Sequence, residues 1–270
     1  MNTAAATARR VVGAIEDLFT TPDAPLRVEH LAAPEVALSV IVPTLDEAPN
    51  IGPFLRALHS ALTCGFAGSF EIVVIDDSSE DASAAIAAEV AESLPRLRVY
   101  RRRNERGLAS AVIRGWQMAR GELLATINAD FQHPPELIVR LAARAAAADL
   151  VVASRYCAEG DCDEWTPLRR LTSRAAWMMG RVLAPDVFRR VSDPLSGCYL
   201  VRRSVIEGIE FRPSGYKTLI EILARADVES VTEVGYSFQR RSAGRSKATT
   251  MQTLHYVRHL LRLRRVGAAR

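Results

Sequence analysis

Between Leu38 and Ala153, short apolar runs alternate strictly with stretches of helical character. The runs are Leu38–Val42, Phe70–Ile75, Leu97–Tyr100, Leu123–Ile127 and Leu150–Ala153. The stretches between them are Ile51–Leu62, Asp81–Ser93, Leu108–Arg120 and Pro135–Ala147, each 12 or 13 residues long. Strands that are apolar throughout, rather than at every second residue, are covered on both faces. Strands separated by helices of this length pair in parallel. The pattern therefore predicts an α/β fold with a mostly parallel central sheet and helices on both faces. In such sheets a ligand sits outside the carboxyl ends of the strands.

Composition narrows the class. The 270 residues are 49% hydrophobic and 24% charged, which excludes a disordered chain and suffices for one large domain or two small ones. No window of 18 apolar residues exists to span a bilayer. The N-terminus lacks an apolar leader core and carries Glu16 and Asp17, which argues against a targeting peptide. Cys64, Cys157, Cys162 and Cys198 lack the two close pairs of a zinc site and read as reduced thiols of a cytoplasmic protein. The arginines at 96, 98, 101, 102, 103 and 106 come without a nucleic-acid motif and read as largely solvated, so no nucleic-acid partner is expected.

Three of the strand ends are acidic. Pro43-Thr44-Leu45-Asp46-Glu47 follows the first, Asp76-Asp77-Ser78-Ser79 the second, and Asn128-Ala129-Asp130-Phe131-Gln132-His133 the fourth. Carboxylates along one sheet edge bind ribose hydroxyls and base N–H groups, or hold a hard divalent cation. Neither G-x-G-x-x-G nor G-x4-G-K-[ST] occurs, so dinucleotide and Walker-type phosphate cradles are unsupported.

These segments, with Ser154-Arg155-Tyr156, Ser192-Asp193-Pro194-Leu195-Ser196-Gly197, Gly215-Tyr216-Lys217 through Leu223, and Gly244-Arg245-Ser246-Lys247, resemble family 2 glycosyltransferases of the GT-A (Rossmann-like) fold. Within them the chain is most similar to dolichyl- and polyprenyl-phosphate mannose synthases. The resemblance spans Leu38 to Lys247 and implies inverting transfer of a sugar from a nucleotide sugar to a polyprenyl phosphate, with GDP-mannose as the expected donor. The same chemistry with UDP-glucose or another donor is the close alternative. The resemblance places Pro43, Glu47, Asp76, Asp77, Asn128, Ala129, Arg241 and Lys247 on the donor nucleotide, the last two reaching its diphosphate as the loop after Phe238 closes. It assigns Asn128, Asp130 and Gln132 to Mg2+ or Mn2+. Asp193, Ser196 and Gly197 fall in the sugar and acceptor pocket. Asp130, Arg155, Arg174 and Glu221 are the implied catalytic group, with Arg155 and Arg174 on the acceptor phosphate and Glu221 near the acceptor. His133 is expected behind the motif rather than in it. The family motif is Asp-x-Asp-x-Gln. Asn128 replaces its first Asp, which removes a charge and motivates a second reading, a weakly active or inactive relative that binds nucleotide or lipid phosphate as a partner subunit.

The flanks divide the chain into an N-terminal extension (1–37), the catalytic domain (38–247) and a tail (248–270). Val11, Val12, Ile15, Leu18 and Phe19 recur at helical spacing and predict an N-terminal helix, packed on the domain or meeting a partner. The net charge is +4, yet residues 234–270 hold nine Lys or Arg and no Asp or Glu, and the remaining 26 basic residues face all 31 acidic ones. The tail projects as an amphipathic helix, with Leu254, Val257, Leu260 and Leu261 on one side, Tyr256 and Leu263 at its margin, and His255, Arg258, His259, Arg262 and Arg265 on the other; only Arg264 breaks the separation. That face suits either the domain or an anionic membrane surface. The expected location is peripheral, on the cytoplasmic face of a membrane, alone, as a homo-oligomer or with a membrane-protein partner.

Overall fold

The structure, a computed structural model, describes residues 15–19, 26–162, 166–212, 217–242 and 250–267. Its strands are β1 (Ile15–Phe19), β2 (Leu26–Arg27), β3 (Val36–Thr44), β4 (Phe70–Asp76), β5 (Leu97–Arg103), β6 (Gly121–Thr126), β7 (Leu150–Ser154), β8 (Tyr199–Arg202), β9 (Glu210–Phe211) and β10 (Val231–Gly235). The helices are α1 (Ala48–Gly65), α2 (Ser83–Ser93), α3 (Leu108–Met118), α4 (Leu137–Ala142), α5 (Pro167–Leu183), α6 (Pro185–Phe188), α7 (Arg203–Ile206), α8 (Thr218–Arg225) and α9 (Thr250–Gly267). Eight strands form one sheet in the order β1-β5-β4-β3-β6-β8-β7-β10, and β2 and β9 form a separate antiparallel pair.

The central pairs β5·β4, β4·β3 and β3·β6 are parallel. All seven residues of β4 are buried, as is β3 from Leu38 onward. Successive side chains on a strand point to opposite faces. Ile41, Val73 and Ile75 therefore feed one core, and Val40, Val42, Ile72 and Val74 the other. Each such aliphatic side chain contributes about 1.5–3 kcal/mol on full burial. Helix α3 lies so close to the sheet that a Cβ on Gly115 would stand 2.4 Å from Cγ2 of Ile41. This is the doubly covered α/β sheet that the alternation predicts.

β8 breaks the parallel order. It lies antiparallel between β6 and β7, so its first residue, Tyr199, sits at the edge where β6 and β7 end. The Ser192–Cys198 segment thus enters the sheet at the ligand edge.

Three expectations are corrected. The N-terminal helix is absent over residues 15–19, which form β1, an edge strand parallel to β5. The i,i+3 spacing of Ile15 and Leu18 places them on opposite sides of that strand, each against a different core. The open edge of β5 needs hydrogen-bond partners, and Arg103 Nε donates to Asp17 Oδ1 at 2.9 Å. Residues 15–19 consequently belong to the main sheet rather than to a separate extension, while Val11 and Val12 lie outside the described residues. The helix expected over 135–147 is α4 followed by a short 3-10 turn, Ala145–Ala147. The C-terminal helix exists as α9, but its buried face is turned from the projected one toward the Tyr256 and Leu263 margin. Tyr256, His259, Leu260 and Leu263 are buried against α5 and α8, and Leu261 is exposed. Tyr256 Oη donates to the Ala176 carbonyl at 2.9 Å.

Candidate functional site

A cleft of about 340 Å3 opens at the carboxyl ends of β3, β4 and β6. Pro43, Glu47, Asp77, Asn128, Ala129, Asp130, Gln132, Lys217 and Arg241 are in its lining. The cleft's floor is built by cross-linked turns. After β3, Asp46 takes a left-handed conformation (φ 45°), which Asp tolerates better than most residues. Its N–H donates to Ser79 Oγ at 3.0 Å, its Oδ1 accepts from Glu80 N–H at 2.9 Å, and Glu47 N–H donates to Ser83 Oγ at 2.7 Å. The turns after β3 and β4 are thereby one unit.

The acidic residues differ in what their carboxylates do. Asp76 is fully buried and accepts from Ser79 N–H at 3.1 Å, with Arg101 Nε 3.5 Å away. It holds its own turn and is not in the cleft lining. Asp77 lines the cleft, with Oδ1 on the buried Arg102 guanidinium and Oδ2 accepting from Gly107 N–H at 2.8 Å. Burial raises both acids, against the pull of Ser79 and Arg101 on Asp76 and of Arg102 on Asp77. Glu47 accepts from Asn50 Nδ2 and from Arg241 Nη1, each at 2.7 Å. Asp130 accepts from Gln132 N–H at 3.1 Å and from Arg241 Nη2 at 2.9 Å, and burial raises it as well. Lys247 lies outside the described residues.

Asn128 faces the turn before β8. A Cβ on Gly197 would come within 3.0 Å of Asn128 Nδ2, so the glycine is what lets the amide approach that backbone. Ser196 points inward and bonds its own turn, Oγ donating to Cys198 O at 3.1 Å and accepting from Cys198 N–H at 3.2 Å. His133 is fully buried behind the motif, stacked on Tyr236 with ring centroids 5.0 Å apart. Burial, then the neighbouring Arg155 charge, pushes His133 down to about 3, so the imidazole is neutral.

Arg155 and Asp193 form a two-point pair, Nε–Oδ2 and Nη2–Oδ1 both at 2.7 Å. The Arg155 guanidinium also lies 5.4 Å over Phe238. It is thus a pinned charge, and a second cavity lies beside its neighbour Tyr156. That cavity, about 690 Å3, is lined by Tyr156, Trp177, Phe188 and Val191 and by Arg170, Arg174, Arg181 and Arg189. Arg174 therefore stands in the larger cavity, apart from the Arg155–Asp193 pair. Glu221 is in neither lining; its buried carboxylate meets Arg225 on its own helix and His259 Nε2 at 2.5 Å on α9.

Three charged residues were not singled out by the sequence reading. Arg102 is fully buried on Asp77; it lies at even spacing from Tyr100 in β5, and that period-2 signal was present in the sequence. Lys217 lines the cleft, donates to the Leu195 carbonyl, and is pushed down to about 8 by burial and then by Arg155. Arg169 lies 5.2 Å over Phe238, the ring that Arg155 also covers, within electrostatic reach of Arg155, Asp130 and Arg241. No local sequence signal separates Arg169 from its neighbours Arg170 and Arg174.

The strand ends of a doubly covered sheet thus carry a carboxylate-lined cleft, and α5 and the residues after it line a separate arginine-rimmed apolar cavity. Residues 39–209 match the family described as glycosyl transferase family 2, and the chain belongs to that family. It is similar to a dolichol-phosphate mannosyltransferase of Pyrococcus furiosus, 39% identical over 227 residues that cover 84% of this chain and 63% of that one. It thus spans less than two thirds of that relative's length. A dolichol-phosphate mannosyltransferase of Saccharomyces cerevisiae is 31% identical over 237 residues, covering 84% of this chain and 87% of that one. Among solved structures, glucosyl-3-phosphoglycerate synthase of Mycobacterium tuberculosis, determined with Mn2+, UDP and glucosyl-3-phosphoglycerate, superposes with a TM-score of 0.61 at 18% identity. That match covers 85% of this chain and 78% of the other, and the shared GT-A fold is the one expected from the motifs.

Proposed function

We infer that this protein transfers a sugar, mannose from GDP-mannose as the leading case, to the phosphate of a polyprenyl lipid at a membrane surface. The observation that carries this reading is that Arg169, on the helix whose arginines line the larger cavity, lies within electrostatic reach of Asp130 and Arg241 in the cleft. The cleft offers Glu47 and Asp77 to a nucleoside. The larger cavity offers an apolar lining to an isoprenoid chain and arginines to its phosphate. Similarity to the dolichol-phosphate mannosyltransferases supports the same choice.

The chemistry fits these residues. An acceptor phosphate oxygen attacks the anomeric carbon, the bond from that carbon to the donor diphosphate breaks, and the nucleoside diphosphate departs. A phosphate monoester has a second pKa of about 6 and is already an anionic nucleophile at pH 7, so no strong base is required. What the protein must do is hold two anions together, and arginine's planar fork does this bidentately. Arg169 and Arg174 serve the acceptor phosphate, and Asp193 fixes Arg155 between the two substrates as a preset charge. Asn128, Asp130 and Gln132 form an all-oxygen donor set suited to Mg2+ or Mn2+, with one charged ligand among them. Among the described residues no three His, Cys, Asp or Glu side chains converge as a metal cage, and a cation held largely by substrate phosphates needs none. When bound, it supplies Lewis-acid neutralisation of the departing diphosphate.

The membrane reading rests on α5 more than on α9. Leu168, Leu171, Met178 and Val182 are exposed along α5 at spacings of three, seven and four residues, which keep them near one side of a helix. The helix carries Arg169, Arg170, Arg174 and Arg181 and no acidic residue. Among the described residues no helix is long and apolar enough to cross a membrane. An apolar stripe flanked by arginines, beside the acceptor cavity, suits peripheral contact with an anionic surface, for which the cytoplasmic leaflet is the proposed one.

The test is a panel of nucleotide sugars against a polyprenyl phosphate with and without Mn2+. Metal-dependent transfer from GDP-mannose is expected. Preference for UDP-glucose would replace the donor, and binding of nucleotide without any transfer would favour the inactive-relative reading that Asn128 motivates.

A further inference from the structure

We propose that Arg241 is the resident counter-cation of the cleft and that a divalent metal and a nucleoside diphosphate bind cooperatively because both act on this one guanidinium. The proposal rests on the reading of the cleft as the donor site.

Arg241 bridges two buried carboxylates from different strand ends. Nη1 is 2.7 Å from Glu47 Oε1 and Nη2 is 2.9 Å from Asp130 Oδ2. The side chains are 9% and 5% exposed, and that of Arg241 is 20% exposed. The remaining carboxylate oxygens also have donors: Asn50 Nδ2 on Glu47 Oε2, and the Gln132 N–H on Asp130 Oδ1. Of these donors, Gln132 N–H is backbone two residues from its acceptor, and Asn50 is one helical turn from Glu47. Arg241 alone comes from a distant part of the chain. Its segment is laid against the motif by Gln239 N–H on Gln132 O at 3.2 Å and Ser242 N–H on Asp130 O at 3.4 Å.

A cation that takes Oδ2 of Asp130 must displace Nη2 of Arg241, and the two positive charges repel at that spacing. The effect is sharpened in this chain by Asn128. With an amide at the first motif position, Arg241 already neutralises one of the two carboxylates, and little net negative charge is left to attract a metal. A diphosphate reverses the balance. It offers the guanidinium a bidentate partner of higher charge than a carboxylate, frees Asp130, and adds phosphate oxygens for the cation. By linkage, each ligand raises the affinity of the other by the same factor.

The experiment is a Mn2+ titration, read by electron paramagnetic resonance and calorimetry, with and without saturating GDP. It uses the full chain and its Arg241→Gln and Arg241→Lys variants. Without GDP, Arg241→Gln is expected to bind Mn2+ about tenfold more tightly than the wild type, a shift within the usual range of site coupling. Its enhancement by GDP should shrink, and its GDP affinity in the presence of a chelator should fall. Arg241→Lys keeps the charge but loses the two-carboxylate span, and should lie between the two. If Mn2+ binds with GDP but Arg241→Gln binds nucleotide-free Mn2+ no better than the wild type, the exchange is overturned and the donor-site reading stands. If neither protein binds Mn2+ even with GDP, the donor-site reading fails, and the exchange with it.

Discussion

The cleft and the larger cavity beside it are built on opposite plans. In the cleft, Glu47, Asp77 and Asp130 each accept at least two hydrogen bonds, and the turns after β3 and β4 are tied to one another. Around the cavity, α5 buries little beyond Gly180 and exposes Leu168, Leu171, Met178 and Val182. The first is organised for a small polar ligand that must be held in one pose. The second leaves apolar surface for something large to cover, as a lipid surface does. The Arg155–Asp193 pair is in neither lining, and as a buried two-point pair it belongs energetically to the first plan.

The strongest way to break this contrast is at that pair. Asp193→Ala leaves Arg155 buried without its carboxylate and should cost about 3–5 kcal/mol of stability, seen as a lower urea midpoint. A variant as stable as the wild type would show that Arg155 is solvated, and the rigid plan would not extend that far. Next is Asp130→Ala. Loss of the one charged ligand in the Asn-x-Asp-x-Gln set should lower metal-dependent kcat/KM by about 100-fold or more, beyond what outer-shell partners of a metal usually cost. A loss that Mn2+ excess fully rescues would reduce Asp130 to a positioning role.

On the cavity side, changing Leu168, Leu171, Met178 and Val182 together to Gln should lower co-sedimentation with anionic vesicles by about tenfold or more, given about 0.8 kcal/mol per buried methylene. Thermal stability should hardly move, because these side chains are already in water. If vesicle binding survives there and is lost on removing residues 249–270, the membrane contact lies on the tail.

The smallest expected effect concerns His133. Its pKa falls from the usual 6.5 to about 3 in the folded chain. Between those values the unfolded chain binds the proton and the folded chain does not. Stability should therefore fall with decreasing pH in that window, by up to about 1.4 kcal/mol per unit. His133→Gln should flatten that slope in chemical denaturation between pH 6.5 and 5. An unchanged slope would mean that His133 takes up a proton without leaving its packed position.

How much was legible follows the same division. The succession of the five central strands and the acidic strand ends could be read because apolar strands and their flanking turns are local signals. Asp130, Gln132 and Glu47 indeed meet in one cleft. What could not be read depended on distant partners. Ile15 and Leu18 have helical spacing, and only the open edge of β5 makes them a strand. His259 projected with the polar residues of the tail, yet Glu221, 38 positions away, draws it into the interior. Arg102 looked like one of many surface arginines until Asp77 was placed opposite it.

The reversed strand β8 has a further consequence. Residues 155–198 leave the sheet at the end of β7 and return to the same edge at the start of β8. The lining of the larger cavity, α5 included, is thus a single excursion whose two ends are pinned by neighbouring strands. An excursion of that kind is a cassette. It accepts changes in length and composition without altering the register of the sheet or the carboxylates beside it, so under the proposed function a chain of this architecture would change its acceptor more readily than its donor.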